Sequence, residues 1–491
     1  MRPAQCFLRR VLSRLPIVLL LAGVASAVST WAAPLPASFL SALRQAGIPL
    51  DAVSLVVQPA DASQTALSHN ATEAMNPASV MKLLTSLAAL DRLGAAYTWK
   101  TDVWVEGEIR DRRLTGDLII KGYGDPSLTL ERMWLLQREL RARGINEIRG
   151  NLILDTSYFE LPALDPGAFD HDPLAIYNAV PAALLANFNA TTIKLNPGGD
   201  GVVLSPDINL PGLTLRSHLA LDNADCGEWK DRVTPSIPDP AQHELVMEGA
   251  YARACGEKRM SLNLFEPALT FDNTFRALWA ESGGFITGST QPGIAPADTP
   301  PLLRFSSIPL ADALRSLNKY SNNLMTRNLF LTLGAEREGA PATLEKSRRA
   351  VREWLNEKHI AAPELVLENG AGLSRIERIS AQTLSRLLLA AYADPNFSEF
   401  ESALPILAVD GTLKRRFTDS PLAGHAHLKT GTLKDARALA GYVFNRAGKR
   451  MVFIMLVNHA NADRAEAAQR ALLEWTYDYR PEPARKRRGR K

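Results

Sequence analysis

From about residue 96 to residue 295 the chain is written in short alternating runs, among them Trp99 to Val105, Asp117 to Lys121, Asn151 to Leu154 and Thr192 to Leu195, broken by Gly, Pro, Asn and Asp. That texture spells strands and turns. The flanks read differently. Residues 38–47 have the spacing of a short amphipathic helix, and Ala52 to Val57 reads as a strand by its β-branched content. After about residue 300, helical spacing recurs around Leu310 to Leu333, Leu344 to Lys358 and Ala381 to Ala391. Ala438 to Asn445 and Lys449 to Asn458 are apolar runs joined by Arg446-Ala447-Gly448, a hairpin signature, and Ala462 to Trp475 closes the pattern as a helix. Mixed ends enclosing a long β-rich middle leave few architectures. We read an α/β (α+β) fold in which residues 34–95 and 296–480 build one domain, with a mainly antiparallel sheet between helices. Residues 96–295 are an inserted β-rich region of two nested domains, the inner one at about 190–264. The 491 residues, 46% of them hydrophobic, suffice for two or three cores. No internal repeat is visible.

The best-signalled helix begins at Pro77, with Asn76 as its cap, Pro77 at the first helical position and Gly94 as its stop. Its first turns carry Ser79-Val80-Met81-Lys82. A spacing of three on a helix puts the serine hydroxyl and the lysine amine on one face. A serine becomes a useful nucleophile only when a neighbouring base takes its proton, and a lysine in a dry cleft loses enough basicity to do so. Alone the pattern is weak, because Ser316-Leu317-Asn318-Lys319 repeats it. A second element, Ser321-Asn322-Asn323, is weaker still, since Ser68-His69-Asn70 and Ser261-Leu262-Asn263 share its form. The third, Lys429-Thr430-Gly431-Thr432, precedes the terminal hairpin on an expected edge strand. It offers a cation and a hydroxyl to a carboxylate, and a glycine that lets a ligand approach the backbone.

In this order, on a capped helix, a helical connection and a terminal strand, the three elements resemble the signature set of penicillin-binding proteins and β-lactamases. The 242 positions between Ser79 and Ser321 exceed what a bare β-lactamase-like domain needs. An insertion of that size resembles the D-alanyl-D-alanine carboxypeptidase/endopeptidases of the penicillin-binding protein 4 type. Lys121-Gly122-Tyr123-Gly124-Asp125-Pro126, Leu154 to Phe159, Tyr177 to Pro181 and Val409 to Leu413 resemble that family as well.

The resemblance implies a β-lactamase/transpeptidase-like domain with a large nested insertion. It implies a cofactor-free serine hydrolase that removes the terminal D-Ala from peptidoglycan stem peptides and cleaves D-Ala-meso-diaminopimelate cross-links. Ser79 would form the acyl-enzyme and Lys82 would be its base, while Ser321 and Asn323 would relay protons and hold the peptide. Lys429 and Thr430 would bind the terminal carboxylate, and Gly431 would admit the substrate backbone. The backbone N–H groups of Ser79 and Thr432 would form the oxyanion hole. Partners implied are peptidoglycan peptides, with β-lactam antibiotics as acylating inhibitors. The competing readings are a serine β-lactamase and a catalytically idle wall-binding scaffold. Tyr320-Ser321-Asn322 also reads as Tyr-x-Asn, the second motif of another β-lactamase class, in a register one residue off.

Arg2, Arg9, Arg10 and Arg14, the apolar run Leu15 to Val24 and Ala25-Ser26-Ala27 have the order of a secretory signal peptide over residues 1–27. That apolar run is shorter than the roughly 20 residues a membrane span needs. Export to the periplasm is the expectation. Cys226 and Cys255 are the two cysteines beyond the leader, and an even pair in an oxidising compartment reads as one disulfide, two unrelated buried thiols being the alternative. The formal net charge of +4 is concentrated at the ends: the leader holds four positives, and Arg485, Lys486, Arg487, Arg488, Arg490 and Lys491 hold six more. The body is net acidic, which argues against a nucleic-acid partner. The basic tail, 481–491, is read as a solvated segment able to make peripheral envelope contact.

His425 and His427 invite a catalytic story, but with eight histidines and no His-Glu-x-x-His run there is no case for a metal, and packing is the better account. Asp155, which lies in the insertion, is read as a turn cap.

Overall fold

The computed structural model describes residues 34–62, 64–239 and 242–480. The expected leader, 1–27, and the basic tail, 481–491, lie outside the described residues.

One antiparallel sheet joins the two ends of the chain. Its strands lie in the order Ala426–Leu433, Ala436–Phe444, Arg450–Asn458, Val53–Pro59 and Leu67–His69. Val53 pairs with Val457 and Pro59 with Met451. Because side chains alternate across a strand, each strand feeds two cores. Leu55, Val57, Phe453 and Met455 pack with Phe39 and Leu43 of the helix Ala37–Ala46 and with Leu472 and Leu473 of the helix Glu466–Asp478. Val56, Val452, Ile454 and Leu456 face the other way, onto Leu84, Leu329, Leu384 and Phe400 of the helices Lys82–Leu93, Asn323–Glu338, Ala381–Tyr392 and Phe397–Ala403. A sheet covered on both faces explains why these strands read as unbroken apolar runs.

The middle of the chain builds a seven-stranded sheet and two three-stranded sheets. The larger sheet is centred on the hairpin Lys100–Arg110 and Arg113–Gly122. The smaller ones lie between Thr191 and Leu262. One contiguous cluster of buried side chains, including Leu118, Ile148, Ile193, Met247 and Phe275, runs through all three.

Three expectations need correction. The middle contains two substantial helices, Leu130–Ala142 and Pro267–Glu281, which pack on each other. The inserted sheet also runs past residue 295, because Leu303–Ser306 pairs antiparallel with the strand Lys100–Arg110, Leu303 opposite Val103. Finally, the helical spacing from Leu310 to Leu333 is two helices, Leu310–Lys319 and Asn323–Glu338. Ser321 between them has φ of 57°, a left-handed backbone that no helix can absorb.

Candidate active site

The segment expected as the first turns of an α-helix is tighter than that. Ala78–Met81 is a 3-10 turn, and the α-helix begins at Lys82. Pro77, not Asn76, stands at the N-cap of this turn, with no side chain capping it; Asn76 Oδ1 accepts from the Ala78 N–H at 2.9 Å one residue earlier, and Gly94 ends the helix with φ of 83°. Ala78 opens the turn with a positive φ. Its φ of 46° is a conformation that costs a non-glycine residue energy and recurs at functional sites. In a 3-10 turn, residues three apart eclipse one another. Ser79 Oγ and Lys82 Nζ accordingly stand 3.0 Å apart, at the N-terminus of a helix whose dipole favours negative charge.

Lys82 is completely buried. Its amine donates to Asn323 Oδ1 at 2.6 Å and to the Ala371 carbonyl at 2.5 Å. Burial pushes its pKa well below the ordinary value, the nearby cations Lys429 and Arg327 push the same way, and the Glu377 carboxylate opposes them. Asn323 Nδ2 donates in turn to the Tyr177 carbonyl at 3.1 Å, which ties the inserted region to this centre.

The break at Tyr320–Asn322 separates the work of two adjacent asparagines. Asn322 caps the following helix, its Oδ1 accepting from the Met325 N–H at 3.0 Å, and this leaves Asn323 free to point at Lys82. The same break turns Ser321 towards Lys429, whose Nζ donates to Ser321 Oγ at 2.8 Å and to the Thr430 carbonyl at 2.9 Å. Tyr320 is 74% exposed.

Lys429 lies on Ala426–Leu433, the edge strand of the central sheet. It too is completely buried, and burial lowers its pKa to about 7. Thr430 Oγ1 lies 2.8 Å from Thr412 Oγ1. At Gly431 a Cβ would come within 2.5 Å of the Pro77 carbonyl oxygen, so only glycine lets this strand lie against the Ser79 turn. Thr432 pairs with Arg437 on the neighbouring strand and is exposed. Ser79, Lys82, Ser321, Asn323, Lys429, Thr430 and Gly431 therefore form one connected cluster, with Thr432 at its open side.

The other residues singled out stand elsewhere. Lys319, from the second Ser-x-x-Lys, is held by the Leu404 carbonyl at 3.0 Å and by Asp410 at 2.5 Å. His427 Nδ1 lies 3.1 Å from the Glu401 carbonyl, and His425 packs on Tyr477. Asp155 caps the turn at the Ser157 N–H, binds Lys121 at 3.0 Å and receives the Ala295 N–H at 2.8 Å. Cys226 and Cys255 are joined by a disulfide at the ends of the neighbouring parallel strands Thr214–Asp222 and Glu244–Ala252. Among the described residues no group of three or more His, Cys, Asp or Glu is arranged to hold a metal ion.

The sequence singled out Tyr177 to Pro181 and Val409 to Leu413 without assigning a role to the Tyr177 carbonyl or the Thr412 hydroxyl, and it did not point to the Ala371 carbonyl. A backbone carbonyl leaves no side-chain signature, although the run Asn369-Gly370-Ala371-Gly372 signals close backbone approach.

The family described as D-Ala-D-Ala carboxypeptidase 3 (S13) matches residues 36–479. A D-alanyl-D-alanine carboxypeptidase of Actinomadura sp. (strain R39) is 28% identical over 442 residues, covering 86% of this chain and 81% of its own. The D-alanyl-D-alanine carboxypeptidase DacB of Haemophilus influenzae is 26% identical over 432 residues, covering 86% and 88%. The crystal structure of penicillin binding protein 4 (dacB) from Haemophilus influenzae superposes with a TM-score of 0.74 at 25% identity, covering 90% of this chain and 99% of that one. A second structure of that protein, complexed with a β-lactam, gives 0.71 at 23% identity, covering 90% and 100%.

Proposed function

The chain belongs to the D-Ala-D-Ala carboxypeptidase 3 (S13) family, and on that premise we propose that it is a serine D-Ala-D-Ala carboxypeptidase of the penicillin-binding type working through an acyl-enzyme at Ser79. One observation carries the reading above all: a serine hydroxyl 3.0 Å from a fully buried lysine whose basicity the site itself lowers. In its neutral form Lys82 takes the Ser79 proton. The oxygen attacks the carbonyl carbon of the penultimate D-Ala, and the N–H groups of Ser79 and Thr432 hold the developing oxyanion. The amide bond breaks, and the departing D-Ala amine takes a proton relayed through Ser321. Water then opens the ester and returns Ser79 to its hydroxyl form. Lys429, in its protonated form, and Thr430 hold the substrate carboxylate.

The substrates are peptidoglycan stem peptides, with D-Ala-meso-diaminopimelate cross-links as an endopeptidase substrate, and β-lactams acylate the same serine. The mature enzyme works in the periplasm after loss of residues 1–27. Among the described residues no helix is long and apolar enough to cross a membrane. The exposed Tyr320 supports the Ser321-x-Asn323 register over Tyr-x-Asn.

The test is labelling with a fluorescent penicillin, beside Ser79→Ala, with intact mass followed over hours. A stable adduct on the wild type and none on the variant is expected. No adduct on a folded wild type would favour the idle scaffold, and an adduct lost within seconds, with fast turnover of a chromogenic cephalosporin, would favour a β-lactamase.

A further inference from the structure

The loop 368–377 lies across the segment 76–85, which holds Ser79 and Lys82, and engages it at four points. Asn76 Nδ2 donates to the Ser374 carbonyl at 2.9 Å, Lys82 Nζ to the Ala371 carbonyl at 2.5 Å, and Thr85 Oγ1 to the Gly370 carbonyl at 2.7 Å. At Gly372, with φ of 81°, a Cβ would stand 1.9 Å from the Ala78 carbonyl oxygen. Carbonyls of this loop are therefore spent on the nucleophile segment, and its amides need acceptors of their own.

The Ala371 N–H donates to Asn369 Oδ1 at 2.9 Å, and the three N–H groups before it converge on one side-chain oxygen. Glu377 is completely buried, and its Oε1 accepts from the N–H groups of Glu368, Asn369 and Gly370 at 3.0, 2.9 and 2.9 Å. The far end of the loop is pinned by Ser374 Oγ, which accepts from the N–H groups of Ile376 and Glu377 at 3.1 and 3.0 Å. A buried carboxylate is costly unless hydrogen bonds compensate it, and burial pushes the pKa of this one up; the cations it acts on are Lys82 and Arg327. Its other oxygen, Oε2, has no hydrogen-bond partner among the described residues, nor has Nε of the neighbouring Arg327. The charged groups that act on this region are Lys82, Arg327, Lys429 and Glu368. Accepting the three N–H hydrogen bonds is what the Glu377 carboxylate visibly does.

We propose that Glu377 is a positioning residue for acylation: by gathering the amides of residues 368–370 on one oxygen, it fixes the turn that aims the Ala371 carbonyl at the Lys82 amine. It thereby sets where the base stands relative to Ser79. The inference rests on the reading of Ser79 and Lys82 given above. Glu377 touches no substrate and acts only through the loop.

The experiment measures, on the intact protein, the penicillin acylation rate at saturation and the concentration giving half that rate. The variants are Glu377→Ala, Glu377→Asp, Glu377→Gln and Ser79→Ala. Gln keeps an oxygen in place for the three N–H groups and removes the charge. Asp keeps the charge and withdraws the oxygen by one carbon. Displacing a reacting group by about 1 Å can cost on the order of a hundredfold. The expected result is a saturating rate at least about tenfold lower for Asp and Ala, with Gln within about threefold of wild type. A purely structural role would lower the melting temperature and leave the saturating rate of the folded fraction unchanged. That outcome, or equal losses in Asp and Gln, overturns the proposal. If Glu377→Ala does not fold, the Asp and Gln pair decides alone. A wild type that takes up no penicillin overturns the Ser79 reading and this proposal with it, whereas a labelled wild type with an indifferent Glu377 overturns the proposal alone.

Discussion

Lys82 and Asn323 are 241 positions apart in the chain, and the amine of one donates to the side-chain oxygen of the other across 2.6 Å. Asn323 thereby ties the helix after the insertion to Lys82, the proposed base, at the start of the helix before it. Asn323→Ala should leave a buried amine short of one acceptor, a loss of about 2 kcal/mol, and slow penicillin acylation by roughly thirtyfold. Stopped-flow acylation rates check this. A rate within threefold of wild type would remove Asn323 from the proposed machinery.

Ser321 Oγ receives the Lys429 amine at 2.8 Å, whereas the neighbouring Tyr320 is exposed, which favours Ser321 for the one role the two registers contest. Ser321→Ala should lower kcat for a D-Ala-D-Ala peptide by about tenfold to a hundredfold, the usual range for a lost proton-transfer group. Tyr320→Phe should leave kcat within twofold. The reverse pattern would establish the Tyr-x-Asn register.

The pKa of Lys429 is lowered to about 7 by burial, from an ordinary 10.5. Binding of a substrate carboxylate favours the protonated form, so affinity should fall as pH rises through about 7, and KM for the peptide should increase on that limb. The stability effect follows from the same shift. Unfolded Lys429 keeps its proton up to pH 10.5, whereas the folded residue releases it near 7. Below 7 both states are protonated and the cost of burial is complete. Above 7 the cost shrinks by about 1.4 kcal/mol per pH unit, because the unfolded chain binds the extra proton. Lys429→Met should therefore raise the melting temperature most at pH 6 and least near pH 10, while abolishing peptide hydrolysis. A pH-independent gain would remove the titration from the explanation.

Cys226 and Cys255 close a loop with a sequence separation of 29. By the chain-entropy relation such a link is worth about 3 to 4 kcal/mol. The Cys226→Ser, Cys255→Ser double variant should become susceptible to limited proteolysis between Thr191 and Leu262 and keep its penicillin acylation rate. Loss of acylation in a folded double variant would show that the inner sheets support the site directly.

The parts of the site that were legible are those written in side chains at fixed spacing. Ser79 and Lys82 announce themselves by an interval of three, and Lys429 to Thr432 by a run found once. Their order along the chain selected them from the other copies. The break at Ser321 was not legible, because Leu310 to Leu333 keeps an unbroken helical period and only a positive φ at one residue ends it. The helix Leu130–Ala142 was overlooked although Thr129 caps it, because the region was read by its turn residues and not by its period. Leu303–Ser306 is a four-residue strand whose partner lies about two hundred positions earlier, a distance no local pattern carries. The carbonyls of Ala371 and Tyr177 belong to the backbone, which every residue shares.

The central sheet pairs Val53–Pro59 with Arg450–Asn458, and Lys429 lies on a strand that joins through Ala436–Phe444. A chain emerging from the ribosome therefore delivers Ser79, the proposed nucleophile, long before the strands that house it. Through nearly all of that passage Ser79 is an ordinary serine. The hydrolase comes into being only when the last strands arrive, so the timing of its activity is built into the path of the polypeptide.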